Sequence, residues 1–105
     1  MTAAELQRRI HDEIGSNWDR TNAHGCDLRA CLVDPVKLPY EDITDSATTV
    51  YLWLVLRESP ADHSGYMIVF DEIGNRFGLA CRFDSGRDGY LGPYGETFLA
   101  AFEAM

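Results

Sequence analysis

The run GYMIVFDEIGNRFGLACRF (65–83), followed by DSGRDGYLGPYG (84–95) and ETFLAAFEAM (96–105), decides the fold. It reads as strand, tight turn, strand, glycine-rich connection and short apolar helix. Residues 66–71 are apolar on both faces, as in a strand covered on both sides. Glu72-Ile73-Gly74-Asn75 is expected to turn as a four-residue hairpin, with Gly74 taking positive φ. From 76 to 83 the chain alternates: Phe77, Leu79, Cys81 and Phe83 face a core, and Arg76, Gly78, Ala80 and Arg82 face away. Residues 84–88 form a second turn and 89–92 a short fifth strand. GYLGPYG (89–95) reads as a strand-to-helix corner, with Gly95 as cap and Glu96 at the positive end of the helix dipole. Phe98, Leu99, Phe102 and Met105 make the apolar face of the last helix.

Upstream, Thr2-Ala3-Ala4-Glu5 is a capping box. Leu6, Ile10 and Ile14 recur every four residues, which predicts one buried helix stripe ending between Gly15 and Trp18. Residues 19–27 read as loop. Residues 28–33 read as a strand stopped by Pro35, which has no N–H to donate to a ladder. Residues 34–47, with two prolines and four acids, read as a long connection. Residues 48–58 give the clearest strand, with Val50, Leu52, Leu54 and Leu56 on one face and Tyr51, Trp53, Val55 and Arg57 on the other. Residues 59–65, with Pro60 and His63, are a polar loop.

The expected fold is α+β: an antiparallel sheet of four to five strands, with an N-terminal and a C-terminal helix packed on one face, in a single domain spanning 1–105. No βαβ unit is visible, which argues against a parallel nucleotide-binding sheet. The sheet's second face poses a question. Tyr51, Trp53, Tyr66, Ile68 and Phe70 need cover if they share it, either from the 34–47 segment or from another chain.

Hydrophobic residues make up 46% of the 105, which supports a folded core. No apolar run approaches the roughly 20 residues of a membrane span. The first residues lack the pattern of a secretory signal, so a cytoplasmic, non-membrane protein is expected. Seventeen acids against nine bases give a net charge of −8, and Lys37 is the only lysine. That balance disfavours nucleic acid as a partner and favours encounter with a basic protein.

No motif for catalysis or cofactor binding appears. His24, Cys26, Cys31 and Cys81 lack the paired spacing of a zinc site, so no metal or cofactor is expected. Three cysteines cannot form a complete disulfide framework within one chain. None of His11, His24 and His63 is spaced to activate a serine or cysteine, and there is no nucleophile elbow. The acids fall in loops, where aspartate serves turn chemistry. The loop at 84–89 has a calcium-like composition, but glycine stands at 95 where the bidentate glutamate would be needed.

The segments Val69-Phe70-Asp71-Glu72, Phe77-Gly78-Leu79-Ala80 and Leu91-Gly92-Pro93-Tyr94-Gly95-Glu96-Thr97-Phe98, closing at Met105, resemble a group of short uncharacterised bacterial proteins. That group ends in a comparable FGLA…LGxYGxF…M pattern. Cys31-Leu32-Val33-Asp34-Pro35 and Leu52-Trp53-Leu54-Val55-Leu56 are similar to it as well. The resemblance implies no activity and no site residues. By analogy of size and acidity, it is similar to bacterial immunity proteins.

The expected function is therefore non-enzymatic binding of a basic protein such as a toxin, by a monomer or homodimer. Glu41, Asp42 and Asp45 would supply charge, with Tyr51, Trp53, Tyr90 and Tyr94 as aromatic anchors. The alternative is a small-ligand or regulatory domain with a pocket between sheet and helices, lined by Phe77, Phe83, Phe98 and Phe102.

Overall fold

Thr2 accepts the Glu5 N–H at 3.2 Å and Glu5 accepts the Thr2 N–H at 3.1 Å, which starts helix α1 (Ala3–Ile14) as its capping box dictates. A computed structural model of the chain describes residues 1–59, 65–83 and 86–105, without the side chains of 46 and 47. The loop at Pro60 and His63 and the turn at Asp84 and Ser85 lie outside the described residues. In α1, Leu6, Ile10 and Ile14 are fully buried and Gly15 ends the helix at φ +57°. Burial of each stripe residue stabilises by about 2 kcal/mol. A cap is worth only about 1 kcal/mol. Packing therefore holds α1 in place and the cap sets its start.

Residues 28–33 are not a strand. Asp27 accepts the Arg29 N–H at 2.9 Å and caps a single helical turn, α2 (Leu28–Cys31). Leu28 and Cys31, three apart, both reach the core, whereas a strand would have sent them to opposite faces.

The segment expected to be a connection is a strand, β1 (Leu32–Asp42), followed by the long β2 (Asp45–Arg57). Pro35 falls where the β1–β2 register shifts, between Leu32 and Val36. Pro39 lies opposite Tyr51, on a stretch of β1 short of its pairing with the last strand, at Glu41 and Asp42. A proline is tolerated at a bulge or on a free edge, because no ladder bond is lost there.

β3 (Tyr66–Asp71), β4 (Arg76–Arg82) and β5 (Asp88–Gly95) continue the antiparallel order. The sheet then closes, because β1 pairs parallel with β5 through Glu41–Gly89 and Asp42–Tyr90. The architecture is α+β with both terminal helices, but the five strands form a small barrel rather than an open, wholly antiparallel sheet.

Closure answers the question of the second face. Leu38, Tyr40, Val50, Leu52, Leu54, Met67, Val69, Ala80 and Tyr90 pack together inside the barrel. The segment at 34–47 does give cover, but as a wall of the barrel. Gly78 and Ala80, expected to face away, line that interior. A side chain at Gly78 would stand 2.4 Å from the Gly92 carbonyl, so only glycine lets β4 approach its neighbour β5 this closely. Trp53, Ile68 and Phe70 face the helices instead, against Phe77, Leu79, Phe98 and Phe102. Tyr51 and Tyr66 are exposed. A register shift between Leu54 and Leu56 moves Leu56 to the helical side with Val55, so the expected strict alternation of β2 breaks there.

Two local expectations fail because a neighbouring residue takes the role. In the β3–β4 turn, Asn75, not Gly74, is left-handed at φ 53°. Asp71 accepts the N–H groups of Ile73 and Gly74, and a side chain at Gly74 would meet that carboxylate at 2.8 Å. The expected corner at 89–95 is strand throughout, and α3 (Phe98–Ala104) is capped by Thr97 rather than Gly95. Glu13 of α1, not Glu96, reaches the start of α3, accepting the Leu99 N–H at 2.7 Å.

Candidate functional site

The β1–β2 hairpin tip gathers the predicted acids. Asp42 accepts both the N–H and the hydroxyl of Thr44, at 2.9 and 2.7 Å. That hydroxyl bond, then the backbone one, holds the Asp42 carboxyl below its ordinary value. Asp45 accepts the Thr48 hydroxyl at 2.7 Å. Glu41 lies 3.6 Å from the Arg87 guanidinium. These acids shape the turn as well as charging it. The tip joins β5 where Ile43 donates its N–H to the Tyr90 carbonyl.

Beside the tip, the β2–β3 ladder reaches only as far as Trp53 and Phe70. The earlier part of β2 therefore stands apart from the β3–β4 turn and leaves a mouth into the barrel. This mouth is a cavity of about 370 Å³. Val50, Leu52 and Tyr90 line it from the interior, and Tyr51 and Ile73 stand at its lips. Lys37, Thr49, Asp71 and Glu72 complete the rim. Lys37 bonds Glu72 at 3.0 Å. Burial, then the nearby Asp71 charge, raises the Tyr90 phenol above its ordinary value.

Five of the seven predicted residues thus meet at one end of the barrel: Glu41, Asp42, Asp45, Tyr51 and Tyr90. Trp53 does not join them. It is half-buried against the helical core with Lys37 5.8 Å from its ring, and its Nε1 is buried without a partner among the described residues. Tyr94 is exposed farther along β5, beyond the pairing with β1. Sequence reasoning missed Ile73 and Ile43. Ile73 is 99% exposed and Ile43 53%, beside Tyr51 at 64%. An isoleucine within a four-residue turn has no face to bury, and that was the readable signal.

A second cavity, of about 340 Å³, lies on the closing seam between β1 and β5. Pro39, Tyr40, Glu41, Thr49, Arg87 and Asp88 line it. Glu41 faces Arg87, and Asp88 accepts from Arg82 at 3.0 Å. The Tyr40 hydroxyl is buried without a partner among the described residues, and burial, then the Asp88 charge, raises its pKa strongly.

Phe77, Phe98 and Phe102 do not line a pocket. Their rings contact one another at 5.9 and 6.1 Å between centroids and fill the space between sheet and helices. Phe83 instead covers Gly89. His24 bonds Glu58 at 2.5 Å, and Cys31 donates to the Glu58 carbonyl at 3.6 Å. Burial, then neighbouring Cys31, pushes the Cys26 thiol up to about 11. Among the described residues, no three His, Cys, Asp or Glu side chains are grouped to hold a metal ion, and no helix is long and apolar enough to cross a membrane. No protein-family model, curated protein or solved structure matches this chain.

Proposed function

We propose that this chain is a non-enzymatic protein-binding domain whose hairpin end captures a basic partner, in the manner of an immunity protein neutralising a toxin. One observation carries the reading. Ile73 and Tyr51, both more than half exposed, stand at one opening with Asp71 and Glu72 on its rim, and the tip with exposed Ile43 beside Asp42 is joined to it through Tyr90. Apolar groups at the centre and charge at the rim are the anatomy of an interface. The net charge of −8 would speed encounter with a basic protein.

The test is capture of source-cell proteins on the immobilised chain at low and high salt, then binding of the purified candidate to Asp42→Lys and Ile73→Asp variants. A basic protein retained at low salt, released by salt and lost by both variants supports the reading. Retention of no basic protein, or equal binding by both variants, refutes it.

A second reading, small-ligand binding, has one supporting observation: the unpartnered Tyr40 hydroxyl beside the seam cavity. Thermal-shift screening against metabolites tests it. Stabilisation that Tyr40→Phe abolishes would favour this reading, and none across the screen would count against it.

A further inference from the structure

We infer that the seam cavity between β1 and β5 is a site for one small, neutral, hydroxyl-rich ligand of the monosaccharide class. This rests on the small-ligand reading above and names the chemistry of the ligand. Tyr40 carries the argument. It lines the cavity and is only 1% exposed, yet its hydroxyl has no hydrogen-bond partner among the described residues. A buried polar group is nearly always bonded, so this one points to a missing acceptor. The cavity measures about 340 Å³. That is roughly ten times one water's share of the liquid, so the space exceeds a single bridging water. It falls in the range of small-ligand clefts.

The lining decides the ligand's charge. Glu41 and Asp88 are its carboxylates. Arg87 stands 3.6 Å from Glu41, and Arg82 donates to Asp88 at 3.0 Å. The Asp88 and Arg57 charges act on the Tyr40 phenol in opposite senses. Neither sign is in surplus, so the site selects neither an anion nor a cation. An anion would offer acceptors to Tyr40 and Arg87 but set them against Glu41 and Asp88. A cation would suit the carboxylates and bring no acceptor to the Tyr40 hydroxyl. A ligand hydroxyl does both: it accepts from Tyr40 and donates its own proton to a carboxylate. At 3.6 Å the Glu41–Arg87 contact is longer than a hydrogen bond, so it leaves both groups able to bond a ligand. Thr49 adds a hydroxyl, and the exposed Pro39 ring offers apolar surface to the C–H face of a sugar.

The experiment is an amide-shift NMR titration of the full chain with D-glucose, D-galactose, D-mannose, D-ribose and myo-inositol, beside the charged analogues D-gluconate and D-glucosamine. At least one neutral compound should give saturable shifts centred on Tyr40, Glu41, Arg87 and Asp88, weakened about threefold to tenfold by Tyr40→Phe. Gluconate and glucosamine should bind more weakly than that compound. Without ligand, Tyr40→Phe should hold or raise Tm, since it deletes a buried hydroxyl that has no partner. A fall in Tm would mean that the hydroxyl is already bonded within the chain, and overturns the inference. Thr49→Val, at an exposed position, should keep the fold and also weaken binding. Equal binding by a charged analogue, equal affinity of Tyr40→Phe, shifts centred on the mouth at Val50–Leu52 and Ile73, or no saturable shift with any neutral compound overturns it as well. If metabolite screening still returns a ligand of another class whose stabilisation Tyr40→Phe abolishes, this inference alone fails. If that screen returns nothing, the small-ligand reading fails with it.

Discussion

Gly78→Ala tests how closely β4 and β5 approach at their register shift. Adding one methyl at an unstrained strand position should help slightly. Loss of glycine's freedom in the unfolded chain is worth about 0.4–1 kcal/mol. Burying the methyl adds at most about 0.8 kcal/mol. The surroundings reverse that gain. The new carbon would lie 2.4 Å from the Gly92 carbonyl oxygen and 2.7 Å from the Tyr90 ring. The ring end can turn aside, but the carbonyl belongs to β5, which must retreat by at least 0.6 Å to restore a 3.0 Å contact. Overpacking of this kind costs up to about 3 kcal/mol. Strained ladder bonds on β5 add about 1 kcal/mol. The net expectation is about 2 kcal/mol of destabilisation, a fall of roughly 10 °C in Tm for a chain this size. Urea unfolding followed by tryptophan fluorescence measures it. Gly25→Ala is the control: nothing lies within 4 Å of its side-chain position, and only its φ of +70° is strained. It should cost about 1 kcal/mol. Adding Tyr90→Leu to Gly78→Ala should not restore stability, since the carbonyl stays in place. A Gly78→Ala variant as stable as the parent would mean β4 and β5 do not approach so closely there.

Three further outcomes follow from other parts of the fold. Glu13→Ala removes the carboxylate that accepts the Leu99 N–H and should cost about 1 kcal/mol in thermal unfolding, with Glu13→Gln losing about half. Cys26, with its thiol raised to about 11 from 9.0, should react with a thiol reagent at pH 8 about 100-fold more slowly in the folded chain than in urea; equal rates would contradict its burial beside Cys31. Pro39→Thr restores an N–H on the free stretch of β1 and should raise self-association in sedimentation runs above that of the parent. An unchanged mass would show that proline does not guard that edge.

The two terminal helices and the strands β3 and β4 were legible because their signals are local. Four-residue spacing in α1 and alternation from Phe77 to Leu79 each need only a short stretch of chain to be read. What could not be read was non-local. Pro35 and Pro39 hid the alternation of Leu38 and Tyr40, because a proline ends a strand only where a neighbour needs its N–H, and no local feature says which edge is free. Ala80 looked outward until Leu38 and Tyr40 of β1 were placed in its cluster, and Gly78 until Gly92 and Tyr90 of β5 were set against it. Glu13 could not be assigned to Leu99 from positions 86 residues apart. The predicted site residues are brought together only in part for a related reason. Acids at Glu41–Asp42 and the tyrosine at Tyr90 are joined by the parallel β1–β5 step, whereas Trp53 was drawn under the helices by packing that its apolar neighbours on β2 share.

The grip of Glu13 on Leu99 has a consequence for how the protein is made. α1 is made before α3, yet its stripe of Leu6, Ile10 and Ile14 packs in the same cluster as Phe98 and Phe102. The nascent α1 must wait, with its oily side uncovered, until translation has delivered Phe98 and Phe102. Until then its exposed stripe is where holding chaperones would be needed.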